Sequence, residues 1–84
     1  MKVKMNNKII SFEINNTEYN VIDEDGQMDL KEIYKFVKEN YSNKDEVIKS
    51  IEFDEQIEKE VRNGLDFFIV ELFNKFKDSD FKLE

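Results

Sequence analysis

Ile57, Val61, Leu65, Phe68, Leu72 and Phe76 recur at steps of three and four, the spacing that puts side chains on one face of a helix. Phe67, Ile69, Val70 and Phe73 widen that face until the second half of the segment is apolar nearly all round. A helix of that kind must be covered on more than one side, or must find a partner. The pattern predicts one helix over about 54–77, capped by Asp54 and roughly 36 Å long. Asn63-Gly64 opposes it, because glycine costs about 1 kcal/mol inside a helix. If that pair ends a helix near Arg62, the run LDFFIVELF becomes a strand, which its aromatic and β-branched content allows. The period passes through Gly64 without a change of phase, and this favours helix.

Upstream, the period changes to two. Ile10, Phe12 and Ile14 alternate with Ser11 and Glu13, then Tyr19 and Val21 alternate with Glu18 and Asn20. Asn15-Asn16-Thr17 lies between the runs, and asparagine tolerates the left-handed backbone of tight hairpin turns. A β-hairpin over about 8–22 is expected. A further short strand over Val3–Met5, turned by Asn6-Asn7, fits the same pattern, and Lys2, Lys4 and Lys8 would guard its edge against other chains. Asp23–Gly26 reads as a turn. Asp29 then stands as an N-cap with Glu32 three residues on, a capping-box pattern opening a helix over about 29–40. Leu30, Ile33, Tyr34, Val37 and Tyr41 form its expected buried stripe. A helix over about 43–52 follows, capped by Ser42 or Asn43, with Asp45 and Glu46 in its first turn and Val47, Ile48 and Ile51 buried. Ser50–Phe53 also alternates and reads equally as a third strand. The expectation is a small α+β domain spanning 1–84: an N-terminal antiparallel hairpin, then two or three helices, the last long and apolar. Phe81 and Leu83 form a final apolar pair.

Composition excludes several chemistries. The 84 residues contain no cysteine and no histidine, so neither disulfides, thiolate metal sites nor histidine general bases are available. There is no proline, and Gly26 and Gly64 are the two glycines. No segment approaches the run of about 20 apolar residues that spans a membrane, and MKVKMNNK is followed by no signal-type apolar stretch. A soluble cytoplasmic protein without membrane contact is expected. The net charge of −7 disfavours direct binding to nucleic acid, whose affinity comes from cationic neutralisation of phosphates. It favours a basic protein partner, including one that normally holds nucleic acid.

Val21–Glu32, VIDEDGQMDLKE, followed by IYKFVKEN, resembles the calcium loop and exiting helix of an EF-hand. With Gly26 at the loop's glycine, the resemblance implies ligand roles for Asp23, Asp25, Asp29 and Glu32, and an apolar role for Met28. The likeness covers about a dozen residues. It departs from the pattern at Val21, where a carboxylate is expected, and in the strand-like run that precedes the loop. A polar turn before a capped helix accounts for the same residues, and neither a metal nor a cofactor is expected.

Acidic residues make the larger constellation. Asp23, Glu24 and Asp25 cluster at the turn, and Asp45, Glu46, Glu52, Asp54, Glu55, Glu58 and Glu60 put seven carboxylates into sixteen residues. On a helix Asp54, Glu55 and Glu58 would share one face, and such a ridge could occupy the Arg and Lys of a nucleic-acid groove. A solvated face explains the same charges. The aromatic stripe Phe67, Phe68, Phe73 and Phe76 with Phe81, together with Leu65 and Leu72, is expected in the core or at a homodimer contact. No nucleophile elbow or phosphate-binding glycine loop is present, so catalysis is not expected. The function expected is binding: a small inhibitor of the phage or bacterial accessory kind, presenting Asp23, Glu24, Asp25, Asp45, Glu46, Glu52, Asp54, Glu55 and Glu58 to a basic protein. An antitoxin or immunity protein would use the same charges, and a homodimeric interaction module is the alternative of a different class.

Overall fold

The computed structural model describes residues 1–75. It is α+β: a four-stranded mixed sheet packed on one face by helices. The strands are β1 (Lys2–Asn6), β2 (Ile9–Ile14), β3 (Thr17–Ile22) and β4 (Glu52–Phe53), in the order β3-β2-β1-β4. The first three form an antiparallel meander, and β4 pairs parallel to β1 through Lys2↔Glu52 and Val3↔Phe53. Both meander turns rest on asparagine. Asn15 and Asn16 have φ of 50° and 67°, the left-handed pair that a two-residue turn between twisted strands requires, and Asn7 sits at 59°. Side-chain alternation sends Val3, Phe12 and Tyr19 into the core at successive partner positions. The opposite face carries Lys2, Lys4, Ser11, Glu13, Glu18 and Asn20, with Lys4 paired to Glu13 and Glu18.

The helices are α1 (Leu30–Asn40), α2 (Lys44–Lys49) and α3 (Lys59–Lys75), with a 3₁₀ turn at Tyr41–Asn43 joining the first two. Asp29 caps α1 by accepting from the N–H groups of Lys31 and Glu32. The reciprocal half of a capping box is not made. The Asp29 N–H already donates to Val21 O, and Glu32 instead accepts from the Asn20 N–H. Together with the Ile22↔Met28 bridge, these contacts occupy the outer edge of β3.

The buried stripe of α1 is Ile33, Phe36, Val37 and Asn40 rather than the expected set, and Leu30 and Tyr34 are exposed. Phe36 decides this rotation. Its ring lies 4.9 Å from Phe12, 5.4 Å from Tyr19 and 5.4 Å from Phe73, edge-on or tilted to each, at the centre of the core. Asn40 is buried on the same stripe because its Nδ2 donates to Phe36 O and the Tyr19 hydroxyl. No buried side-chain nitrogen or oxygen among the described residues lacks a partner.

Two expected boundaries are corrected. The helix expected over about 43–52 ends at Lys49, and Glu52–Phe53 are taken by pairing with β1. Ile51 is therefore outside it and only half-buried. The helix expected from Asp54 begins at Lys59, and Asp54–Glu58 is a turn. Arg62 fixes that turn: its Nε donates to Ile57 O at 2.7 Å, and its terminal nitrogen reaches Asp54 O and Glu55 O, both at 3.3 Å. Ile57 is buried, but from the turn, while Val61 is exposed. The run LDFFIVELF is helical, and α3 buries Leu65, Ile69, Leu72 and Phe73. Its 17 residues make it about 26 Å long. A Cβ built on Gly64 meets nothing within 4 Å, so neither packing nor backbone conformation within the chain requires glycine there. Phe76, Phe81 and Leu83 lie outside the described residues. Among the described residues no helix is long and apolar enough to cross a membrane.

Candidate functional site

The strand order separates the carboxylates into two groups. β1, β3 and β4 run in the same direction, so the turns after β3 and β4 leave the sheet at the C-terminal ends of its two edge strands. The edges are three inter-strand spacings apart, about 14 Å. Asp23, Glu24 and Asp25 lie on the first of these loops, and Asp54, Glu55 and Glu58 on the second. Asp45, Glu46 and Glu52 lie toward the other end, where α2 begins and β4 enters the sheet. The helical face expected to carry Asp54, Glu55 and Glu58 together does not exist, because these residues precede α3. The nine carboxylates form no single row.

Of the four carboxylates aligned by the calcium-loop resemblance, Asp23, Asp29 and Glu32 accept from backbone N–H groups and Asp25 does not. Asp23 Oδ1 accepts from the N–H groups of Asp25 and Gln27, both at 2.9 Å, and Asp29 serves as the cap of α1. Gly26, at φ 79°, closes the turn with its N–H on Asp23 O. No group of three or more acidic side chains among the described residues is placed to hold a metal ion. Glu24, Asp25, Glu55 and Glu58 are exposed, and their carboxylates make no ion pair or hydrogen bond with a described residue.

At the other end is a cleft of about 490 Å³, lined by Lys2, Glu13, Asn15, Asn43, Glu46 and Glu52 among others. Its charge is mixed. Lys2 and the Met1 ammonium, which donates to Ser50 O and Oγ, stand against the three carboxylates. Beside it, the Tyr19 hydroxyl donates to Glu39 Oε1 at 2.6 Å. Burial, then the hydrogen bond to Glu39, hold the Tyr19 phenol above its ordinary pKa near 10.

A third surface includes Phe68, a member of the aromatic stripe expected in the core or at a homodimer contact. Met28, Leu30, Ile33, Phe68 and Leu72 line an apolar groove of about 220 Å³, with Glu71 and Lys75 also among its lining residues. Phe67, one helical turn before Glu71, is 68% exposed. Of the positions expected in the core or at a dimer contact, Leu65, Leu72 and Phe73 are buried, Phe68 is half-buried on the core's edge, and Phe76 lies outside the described residues. Phe67, expected with that stripe in the core or at a dimer contact, is not in the core. Comparison of the chain with protein-family models, curated proteins and solved structures finds no match.

Proposed function

We propose that the chain acts by binding a basic protein, and that Glu24, Asp25, Glu55 and Glu58 carry the contact. The supporting observation is that these four carboxylates are exposed and unpaired among the described residues, on two loops at one end of the sheet. Unpaired charge of one sign speeds encounter with an oppositely charged surface and rejects like-charged ones. The Arg and Lys side chains that hold phosphates take carboxylates through the same charge-assisted hydrogen bonds, so a nucleic-acid-binding protein is the partner class that fits best. The chain would then act as an inhibitor, of the phage or bacterial accessory kind, covering that basic surface. Neutralisation of a basic toxin uses the same contacts on a different partner. Two separate loops make local pairs and long-range steering the basis of recognition, instead of a continuous imitation of a phosphate backbone. Direct nucleic-acid binding is no part of this reading. The polar face of the sheet carries lysines, glutamates, asparagine and serine at its paired positions, without the aromatic platform on which single strands stack.

The test is affinity capture with the wild-type chain and with Glu24→Lys/Glu55→Lys/Glu58→Lys, a variant whose changes are all exposed. A basic protein recovered on the wild type and lost on the variant, with circular dichroism unchanged, is the expected result. Recovery of the same protein on both contradicts the assignment.

A further inference from the structure

We infer that the outer edge of β4 takes an extended segment of a protein partner in which basic and apolar residues alternate. The two edges of the sheet are finished differently. On β3 the Val21 carbonyl and the Asn20 N–H are taken by Asp29 and Glu32, and Met28 bridges to Ile22. On β4 the Glu52 and Asp54 N–H groups donate to Met1 O and Val3 O, toward β1. Alternation turns the N–H and C=O of Phe53, between them, to the other side. No described residue bonds to either. An edge left in this state is a template for a further strand.

The side chains around that edge define what the strand must carry. Glu52 lies on the polar face of the sheet, as the partner of Lys2, and Asp54 continues the alternation. Their carboxylates make no ion pair or hydrogen bond with a described residue. Ile51 and Phe53 lie on the opposite face, half-buried at the margin of the core. β1 already supplies the complement on the inner side of β4, with Lys2 beside Glu52, Val3 beside Phe53 and Lys4 next in line. A strand presents the same side chains to both of its neighbours, so the outer side selects the same pattern. A segment laid antiparallel exchanges both backbone bonds with Phe53. Its apolar residue then covers Phe53, and the Lys or Arg before and after it meet Glu52 and Asp54. Glu24, Asp25, Glu55 and Glu58 take no part, so the inference stands apart from the loop contact proposed for function.

The experiment is an NMR titration of the isotope-labelled full chain with the blocked peptide Thr-Val-Lys-Val-Lys-Val-Thr. Saturable binding that shifts the Phe53 amide resonance and slows its hydrogen exchange at least tenfold is expected. The rearranged peptide Thr-Lys-Lys-Val-Val-Val-Thr, of the same charge, should bind at least tenfold more weakly. Methylation of the central valine's nitrogen, which removes the N–H offered to Phe53 O, should do likewise. Glu52→Gln, with unchanged circular dichroism, should weaken binding of the first peptide severalfold. No saturable binding, equal affinity for the first and the rearranged peptide, or binding that leaves the Phe53 amide exchanging freely overturns the proposal.

Discussion

Arg62, the chain's single arginine, holds the turn before α3 by donating to three backbone carbonyls at once. A lysine has neither the planar fork nor the number of donors to reproduce this. Arg62→Lys is predicted to lower stability by about 1–2 kcal/mol, a melting-temperature fall of about 4–8 °C for each kcal/mol. Differential scanning calorimetry checks it. Tyr19 makes a second prediction at this scale. Its phenol is held above the ordinary value by burial and by Glu39, so folding favours the neutral form. The associated stability is complete below about pH 10 and is lost as pH rises through the elevated pKa. Unfolding free energies of wild type and Tyr19→Phe, from urea titration, should differ by about 1 kcal/mol near neutrality and converge in alkali. A gap that stays constant through the alkaline range would contradict the assignment.

Among the elements, α1 shows how period and identity can disagree. The stripes through Leu30 and Tyr34 and through Phe36 and Asn40 both include Ile33 and Val37, and both satisfy a helical spacing. The polar Asn40 disguises the one that is buried. Phe36→Ala is predicted to cost about 3–5 kcal/mol, enough to unfold much of a chain this small, whereas Leu30→Ala, at an exposed position, should change monomer stability by no more than about 0.5 kcal/mol. Urea titration of the two variants separates them. α3 was hidden differently. Ile57 stands in phase with the helical positions that follow, so periodicity alone extends the helix backward over a turn set by Arg62. The alternation of Ser50–Phe53 allowed a strand as well as a helix, and pairing with β1 decides for the two-residue β4. The asparagine turns were legible because left-handed backbone selects residue type directly. Asn16→Ala is predicted to cost about 1 kcal/mol for the same reason, again by urea titration.

Across the whole molecule, the number of carboxylates could be read from the sequence but their grouping could not. Grouping depends on strand order, and the order β3-β2-β1-β4 sends the turns after β3 and β4 out at one end while Asp45, Glu46 and Glu52 lie toward the other. The described residues therefore present loop carboxylates at one end, a mixed-charge cleft at the other, and an apolar groove between Met28, Leu30 and α3. The proposed function places recognition on the first alone. Its most direct test is the salt dependence of binding to the partner recovered by affinity capture, measured calorimetrically between about 0.1 M and 1 M salt, where the screening length falls from about 10 Å to about 3 Å. The account predicts that affinity falls at least tenfold across that range, is abolished by Glu24→Lys/Glu55→Lys/Glu58→Lys, and survives Asp45→Lys/Glu46→Lys. Affinity independent of salt, or undiminished in the loop variant, would contradict it.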